Sequence, residues 1–298
     1  MVAHYSSVEA SIMTPERIGS DKLVRLMEQL TPLDHAVLSR LTQHRYLQTE
    51  QITRFEFSDR PTHLAGLRAA HRTLRKLRLH GLVAMMERTI GGATRGSTAA
   101  VWTLTNTGIR SMALRSGELD QPRRRLAEPT LIFLRHELAV AELHLALFEA
   151  ASSGSAVLRE LQLEPWCWRR YLGPLGAMTT LKPDMAVEIE TVTFDSRYFF
   201  EVDRATEPPH RIVAKCLQYQ EYYRSGEEGR RGGVLPLVVW VVPNDDRREQ
   251  LSRHLTTDNG INQRLYRVLT IEDIPALVGE DDEVGMLPEN ASLAGGQS

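Results

Sequence analysis

Apolar positions in the first third of the chain recur at helical spacing. Thr31-Pro32-Leu33-Asp34 opens a helix, Thr31 as cap and Pro32 in the first turn, and Leu33, Val37, Leu38 and Leu41 follow on one face. Thr49-Glu50 starts a short second helix through Phe55 that carries Ile52 inward, and Phe57-Ser58-Asp59-Arg60-Pro61 breaks it. A third helix is predicted from Thr62 to His80, stopped by Gly81. Leu64, Leu67, His71, Leu74 and Leu77 fall on one side of it, Arg68, Arg72, Arg75 and Lys76 on the other.

The pattern then changes. Leu82 to Met86 and Val101 to Thr105 read as two strands around a Gly-rich loop centred on Arg95. Three helices and such a hairpin make a winged helix over 22–120, preceded by a flexible N-terminus at 1–21. After the polar junction 121–125, Leu131 to Ala150 is a strong helix with Leu134, Leu138, Ala141, Leu145 and Phe148 on one stripe. Strands are predicted at Val157–Leu163, Asp184–Glu190, Arg197–Val202, Leu237–Val242 and Leu265–Ile271, with a long hairpin or loop around WCWRRYLGPLGAMTTLK and a helix over Pro209–Arg224. This is an α+β chain whose second unit, 125–278, is a mixed α/β domain.

Composition narrows the classes. Two cysteines among 298 residues, Cys167 and Cys216, exclude a disulfide scaffold and an all-cysteine zinc cluster, and both read as packing residues. The longest apolar run, Val234 to Val242, is less than half of the roughly 20 residues a membrane helix needs, so a soluble cytoplasmic protein with no membrane partner is expected. The net charge of −2 hides an asymmetry. From Arg60 to Arg125 there are thirteen Lys and Arg against three acids, while Glu272 to Ser298 carries seven acids and no Lys or Arg. A basic segment in a neutral chain points to a polyanion; the tail at 279–298 is expected to be acidic and disordered. Arg68, Arg72, Arg75 and Lys76 then become candidates for the major groove of double-stranded DNA, and Arg95 for the neighbouring minor groove. A homodimer is compatible with this layout.

Candidate chemistry lies in the second unit. Asp184 begins one strand; Glu201 and Asp203 end the next and share a face because side chains alternate. If the strands pair as a hairpin, three carboxylates converge, and hard oxygen ligands of this kind suit Mg²⁺ or Mn²⁺. Glu137 is a fourth acid from the preceding helix. Arg211, Lys215, Gln218 and Tyr222 form one polar stripe of the following helix, able to face the carboxylates and a phosphate backbone; Ile212, Cys216, Tyr219 and Tyr223 form an apolar one.

Pro183-Asp184, Glu201-x-Asp203 and Gln218-x-x-x-Tyr222 together resemble the PD-(D/E)xK nuclease superfamily, particularly its exonuclease-type branch, with His136 where that branch often has a histidine. With the winged helix in front and the run FFEVDRATEPPHRIVAKCLQYQEYY, residues 22–245 resemble the replication-relaxation family of plasmids and mobile elements. The resemblance implies a DNA-binding protein of plasmid replication and DNA relaxation acting at an origin-like site, with metal-dependent DNA nicking as its implied activity. Asp184, Glu201 and Asp203 would then hold the metal, Lys215 would support the attacking water and Gln218 would orient strand or water. The sequence departs from the superfamily in one place: Asp203 stands where its lysine normally does. Lys215 can reach back from the helix, whereas Lys182 and Arg204 neighbour inward-facing residues and point away. The rival readings are a non-catalytic initiator or transcription regulator with a degenerate nuclease-like domain, and a regulator whose second domain senses a small ligand.

Overall fold

Local signals set the N-terminal elements. The computed structural model describes residues 19–86, 100–117, 129–154, 156–174, 176–191, 195–232 and 235–279, so Arg95, the 121–125 junction and the acidic tail lie outside the described residues. Helix α1 (Ser20–Glu28) already begins at residue 20, inside the segment expected to be flexible. In α2 (Pro32–Gln43) Thr31 and Asp34 close a capping box, each side chain taking the other's backbone N–H. A two-residue strand β1 (Leu47–Gln48), absent from the hydrophobic pattern, leads into α3 (Thr49–Glu56). Helix α4 (His63–Leu79) is capped by Thr62 and followed by Gly81 at φ 68°, a left-handed position that favours glycine. Strands β2 (Val83–Met85) and β3 (Val101–Leu104) and helix α5 (Asn106–Ser116) complete this part. The three strands form an antiparallel sheet in the order β1-β3-β2.

One expected contact is corrected here. Leu64 is 55% exposed rather than in the core. The buried stripe of α4 runs through Gly66, Ala69, Ala70, Leu74 and Leu77, because small residues let the helix approach Phe57 closely. That rotation carries Leu64 outward.

The second half is built on a five-stranded mixed sheet. Its strands are β4 (Val157–Leu163), β7 (Met185–Glu190), β8 (Asp195–Val202), β9 (Leu237–Val242) and β10 (Tyr266–Thr270), in the order β10-β9-β8-β7-β4. β8 is antiparallel to β7, as the hairpin reading expected, and parallel to β9. The segment around WCWRRYLGPLGAMTTLK is a hairpin of β5 (Arg169–Leu172) and β6 (Met178–Leu181). Helices α6 (Leu131–Ser153) and α10 (Ile274–Gly279) pack on one face of the large sheet. α7 (Pro209–Arg224) and α9 (Asp245–Thr257) pack on the other, and the short α8 (Glu227–Gly232) follows α7. α9 was not expected from the sequence, although Asn244 caps it through the Arg247 N–H. Among the described residues no helix is long and apolar enough to cross a membrane.

α6 belongs to two cores at once. Ala141 and Leu145 pack among α2, α3 and α4, while Val140, Leu143 and Leu147 pack on the sheet. Polar contacts fix the same junction. Gln51 of α3 donates to the Leu138 carbonyl (2.9 Å) and to Glu142 (3.0 Å), and Arg54 pairs with Glu142 and Glu149, both at 2.5 Å. His44 and His144 share a buried hydrogen bond of 2.8 Å beside the Phe55 ring. That bond needs one ring nitrogen bare and the other protonated, so the two rings are not both charged. Burial, aided by the Arg40 charge, pushes His44 down to about 3; burial and then the neighbouring His44 and Arg40 push His144 down to about 2.

A neutral buried histidine gains a proton only on unfolding, so its contribution is complete above about 6.5, the ordinary histidine value, and drains as pH falls towards 3. Urea unfolding should therefore show stability falling below pH 6.5 by up to about 1.4 kcal/mol per pH unit from each histidine. In His44→Phe/His144→Phe this acid-dependent loss should shrink. An identical pH profile in the variant would mean that the pair is not what titrates.

Candidate functional site

The turn between β6 and β7 sets the first acid. Asp184 donates its backbone N–H to the Phe200 carbonyl (3.1 Å), which fixes it beside the end of β8. Its carboxylate is 8% exposed; one oxygen takes the Val202 N–H at 2.7 Å and the other faces His136 Nε2 of α6 at 3.2 Å. Burial pushes this carboxyl up, but the His136 bond and charge and the Lys215 charge outweigh it, and Asp184 sits below its usual range. His136 responds in kind: burial opposes its charge, yet Asp184, Glu137 and Glu164 raise it above the ordinary histidine value.

Glu201 faces α7 from β8. It is 2% exposed, takes the Tyr219 hydroxyl at 2.5 Å and is closed upon by the Lys215 ammonium. Burial, reinforced by the Asp184 charge, outweighs the pull of Lys215 and pushes Glu201 up to about 7. Lys215 is itself desolvated, but the Glu201 and Asp184 charges prevail and push it up to about 12. Lys215, expected from the sequence to reach back from the helix and support an attacking water, lies on Glu201. Its α7 neighbours Arg211 and Gln218 line the same open groove, and Gln218 donates to the Thr180 carbonyl at 3.4 Å.

Asp203 departs from the expected convergence. It shares a face with Glu201, but Arg247 of α9 holds one oxygen at 2.6 Å and the Ala205 N–H holds the other at 2.9 Å. The sequence pattern does not predict α9 and so gives no sign of Arg247 as a partner; the Asn244 cap and the basic residues after it are the one local signal for it. Glu137 is half-buried and raised mainly by that burial, with Arg45 as its strongest opposing charge. It lines, with His136, Glu164 and Asp184, a cavity of about 30 Å³ closed by Gln43 and Arg45 from the N-terminal half.

These contacts bear on a divalent cation. Each oxygen of Asp184, Glu201 and Asp203 already faces a donor from the chain. Among the described residues no three His, Cys, Asp or Glu side chains gather closely enough to hold a metal ion. The side chains as arranged therefore do not fit the three-acid Mg²⁺ or Mn²⁺ site that the sequence suggested.

The DNA candidates also divide. Arg68, Arg72 and Arg75 are exposed on α4, a helix without a single acidic residue. Lys76 stays partly exposed, with its ammonium 2.5 Å from buried Asp34, a contact that ties α4 to α2. Tyr222 is corrected. It is fully buried among Tyr171, Phe199 and Tyr223, with its hydroxyl on Glu228, because α7 turns this side of its stripe into the core. Of the two tryptophans beside Cys167, Trp166 is 72% exposed, and Trp168 lies under the Lys182 ammonium at 4.4 Å.

A family model described as Replication-relaxation matches residues 38–238, more than half of the chain. No curated protein matches the chain. Among solved structures, the restriction endonuclease FokI aligns over 88% of this chain and 72% of its own, at 10% identity and a TM-score of 0.24, too loose a likeness to carry any inference.

The raised Glu201 gives a pH signature. A carboxyl that ionises near 7 in the fold and near 4.5 when unfolded costs stability as pH rises through that interval. Glu201→Gln keeps the size and can still bond Tyr219, yet carries no charge. Relative to wild type, the variant should gain stability steadily between pH 4.5 and 7 in urea unfolding. A constant difference across that range would show that Glu201 is ionised throughout.

Proposed function

The chain belongs to the Replication-relaxation family, and on that premise we propose that it grips double-stranded DNA in plasmid or mobile-element replication and relaxation. In this reading residues 22–120 are a winged helix that presents α4 to the major groove, and residues 125–278 are a PD-(D/E)xK-like domain. The observation that carries it is the outer face of α4: Arg68, Arg72 and Arg75 stand exposed on a helix without acids, so nothing on that helix neutralises them. Arginine is suited to guanine edges and to phosphates, and the spacing puts all three on one side.

The acid site supports gripping without cleavage, since each oxygen of Asp184, Glu201 and Asp203 already accepts from a donor of the chain. A second reading, Mg²⁺- or Mn²⁺-dependent nicking, is favoured by one observation, the closure of Lys215 on Glu201.

Two measurements test this. Duplex affinity should fall steeply with salt, and Arg72→Ala/Arg75→Ala should make the slope of log K against log salt shallower by about 2, at roughly 0.9 per phosphate contact. An unchanged slope would remove α4 from the interface. Supercoiled plasmid incubated with the protein and Mg²⁺ or Mn²⁺ should stay supercoiled while bound. Metal-dependent nicking that disappears in Asp184→Ala/Glu201→Ala would replace the gripping reading by the second one.

A further inference from the structure

The hairpin of β5 and β6 has two unlike faces. Arg169, Tyr171 and Leu181 turn inward and are buried, Tyr171 edge-on to Tyr222 and the Arg169 guanidinium over the Phe199 ring at 5.3 Å. Side chains alternate along a strand, so Arg170 and Leu172 turn outward. The register sets Arg170 opposite Thr180 and Leu172 opposite Met178, which puts all four on one outer face. Leu172 is 58% and Met178 67% exposed, and Arg170 is exposed with them. Lys182, two residues beyond Thr180, is exposed as well, its ammonium 4.4 Å from the centre of the Trp168 ring.

Trp166 stands in the turn that leads into β5. It is the exposed tryptophan of the chain, since Trp102 and Trp240 are buried and Trp168 is half-buried. Arg169 holds this turn from inside, donating to the Trp166 and Trp168 carbonyls at 3.4 Å each, so a fixed backbone presents the Trp166 ring. From Pro165 to Pro183 the chain has Arg169, Arg170 and Lys182 and no acid; Glu164, just ahead, takes the Trp168 indole N–H at 3.2 Å. The hairpin also abuts the acid site. Cys167 Sγ donates to the carbonyl of Pro183, directly before Asp184, at 2.9 Å. The Gln218 bond to the Thr180 carbonyl sets β6 beside the groove of α7, where Arg211 and Lys215 stand against one acid, Glu221.

From this face we propose that the β5–β6 hairpin holds a single strand of DNA, with a base stacked on Trp166 and phosphates beside Arg170 and Lys182. Aromatic side chains interleaved with cations suit an opened strand, because every base has a π-face and every linkage a negative charge. In a closed duplex those faces are stacked on one another, out of reach of a ring at the protein surface. Leu172 and Met178 give a further base an apolar contact at the tip. A strand laid along the hairpin meets no like charge from Pro165 to Pro183, and the Arg211 side of the α7 groove continues the cationic track. The inference goes beyond duplex binding: α4 takes a closed helix, the hairpin an opened strand.

The test titrates the full chain with oligothymidylate and follows tryptophan fluorescence, with each variant's thermal midpoint measured without DNA. Stacking should quench the emission of wild type. Trp166→Ala should abolish the quench and weaken binding about ten-fold or more, whereas Trp166→Phe should abolish the quench and keep most of the affinity. Arg170→Ala should make the slope of log K against log salt shallower by about 0.7, one phosphate contact on a single strand, and Arg170→Lys should restore it. All four variants should melt like wild type, because both side chains are exposed. Undiminished strand binding in Trp166→Ala overturns the proposal, and so does a loss of affinity that comes with a lower midpoint. An equal quench by a closed duplex makes the hairpin a duplex contact, and a quench by anionic vesicles but not by oligothymidylate makes it a lipid contact; either result overturns the single-strand assignment. Arg72→Ala/Arg75→Ala separates the two readings: it should flatten the duplex slope and leave the oligothymidylate quench unchanged. If that variant loses the quench as well, the strand sits on α4 and the hairpin proposal falls.

Discussion

Helix α6 is the constraint on which the arrangement depends. One of its faces completes the core of the N-terminal helices and another covers the sheet, so the two halves share a packed element instead of a linker alone. Apolar burial supplies the bulk of that adhesion, and the polar contacts select its register. Gln51 and Arg54 find their partners at Leu138, Glu142 and Glu149 only if α3 lies at one position along α6. The His44–His144 bond adds a further demand, because a slip would leave two buried ring nitrogens unpaired. The same helix carries His136 to Asp184, so what fixes the joint also fixes one wall of the acid site.

Inside that site the chain supplies its own counter-charges. His136 serves Asp184, Lys215 serves Glu201, and Arg247 serves Asp203. A buried carboxylate without a partner is strongly disfavoured, and the three partners come from three different helices, α6, α7 and α9. The pairing is uneven in effect. Asp184 is held in its charged form by a hydrogen-bonded histidine and a backbone N–H, whereas Glu201 is so thoroughly desolvated that its lysine does not restore an ordinary acidity. Two acids on adjoining strands thus end with opposite preferences, set by their surroundings and not by residue type.

Much of this was legible in the order of residues. The helix at Pro209–Arg224 and the strands at Val157–Leu163 and Leu237–Val242 have the bounds that periodicity assigned them. The hairpin of β7 and β8, the common face of Glu201 and Asp203, and the reach of Lys215 back to Glu201 were also readable, because a strand has period two and a helix has period 3.6. The short β1 and the polar α9 were not. A two-residue strand has no period, and α9 buries little apolar surface beyond Leu251 and Leu255.

Sequence alone determined the bounds of the strongly periodic helices and strands, the Thr31 cap of α2, and that the helix after Thr62 would be basic and free of acids. Those are properties of neighbours within a few residues, governed by backbone geometry and local hydrogen bonds. Only the tertiary structure decided how each charged or polar side chain is spent. Lys76 meets Asp34 from 42 residues away, Asp203 meets Arg247 from 44, and Tyr222 turns into the core instead of towards a ligand. Such partners are chosen when packed elements bring distant atoms within a few ångströms, and the cost of burying a charge without a partner leaves few alternatives.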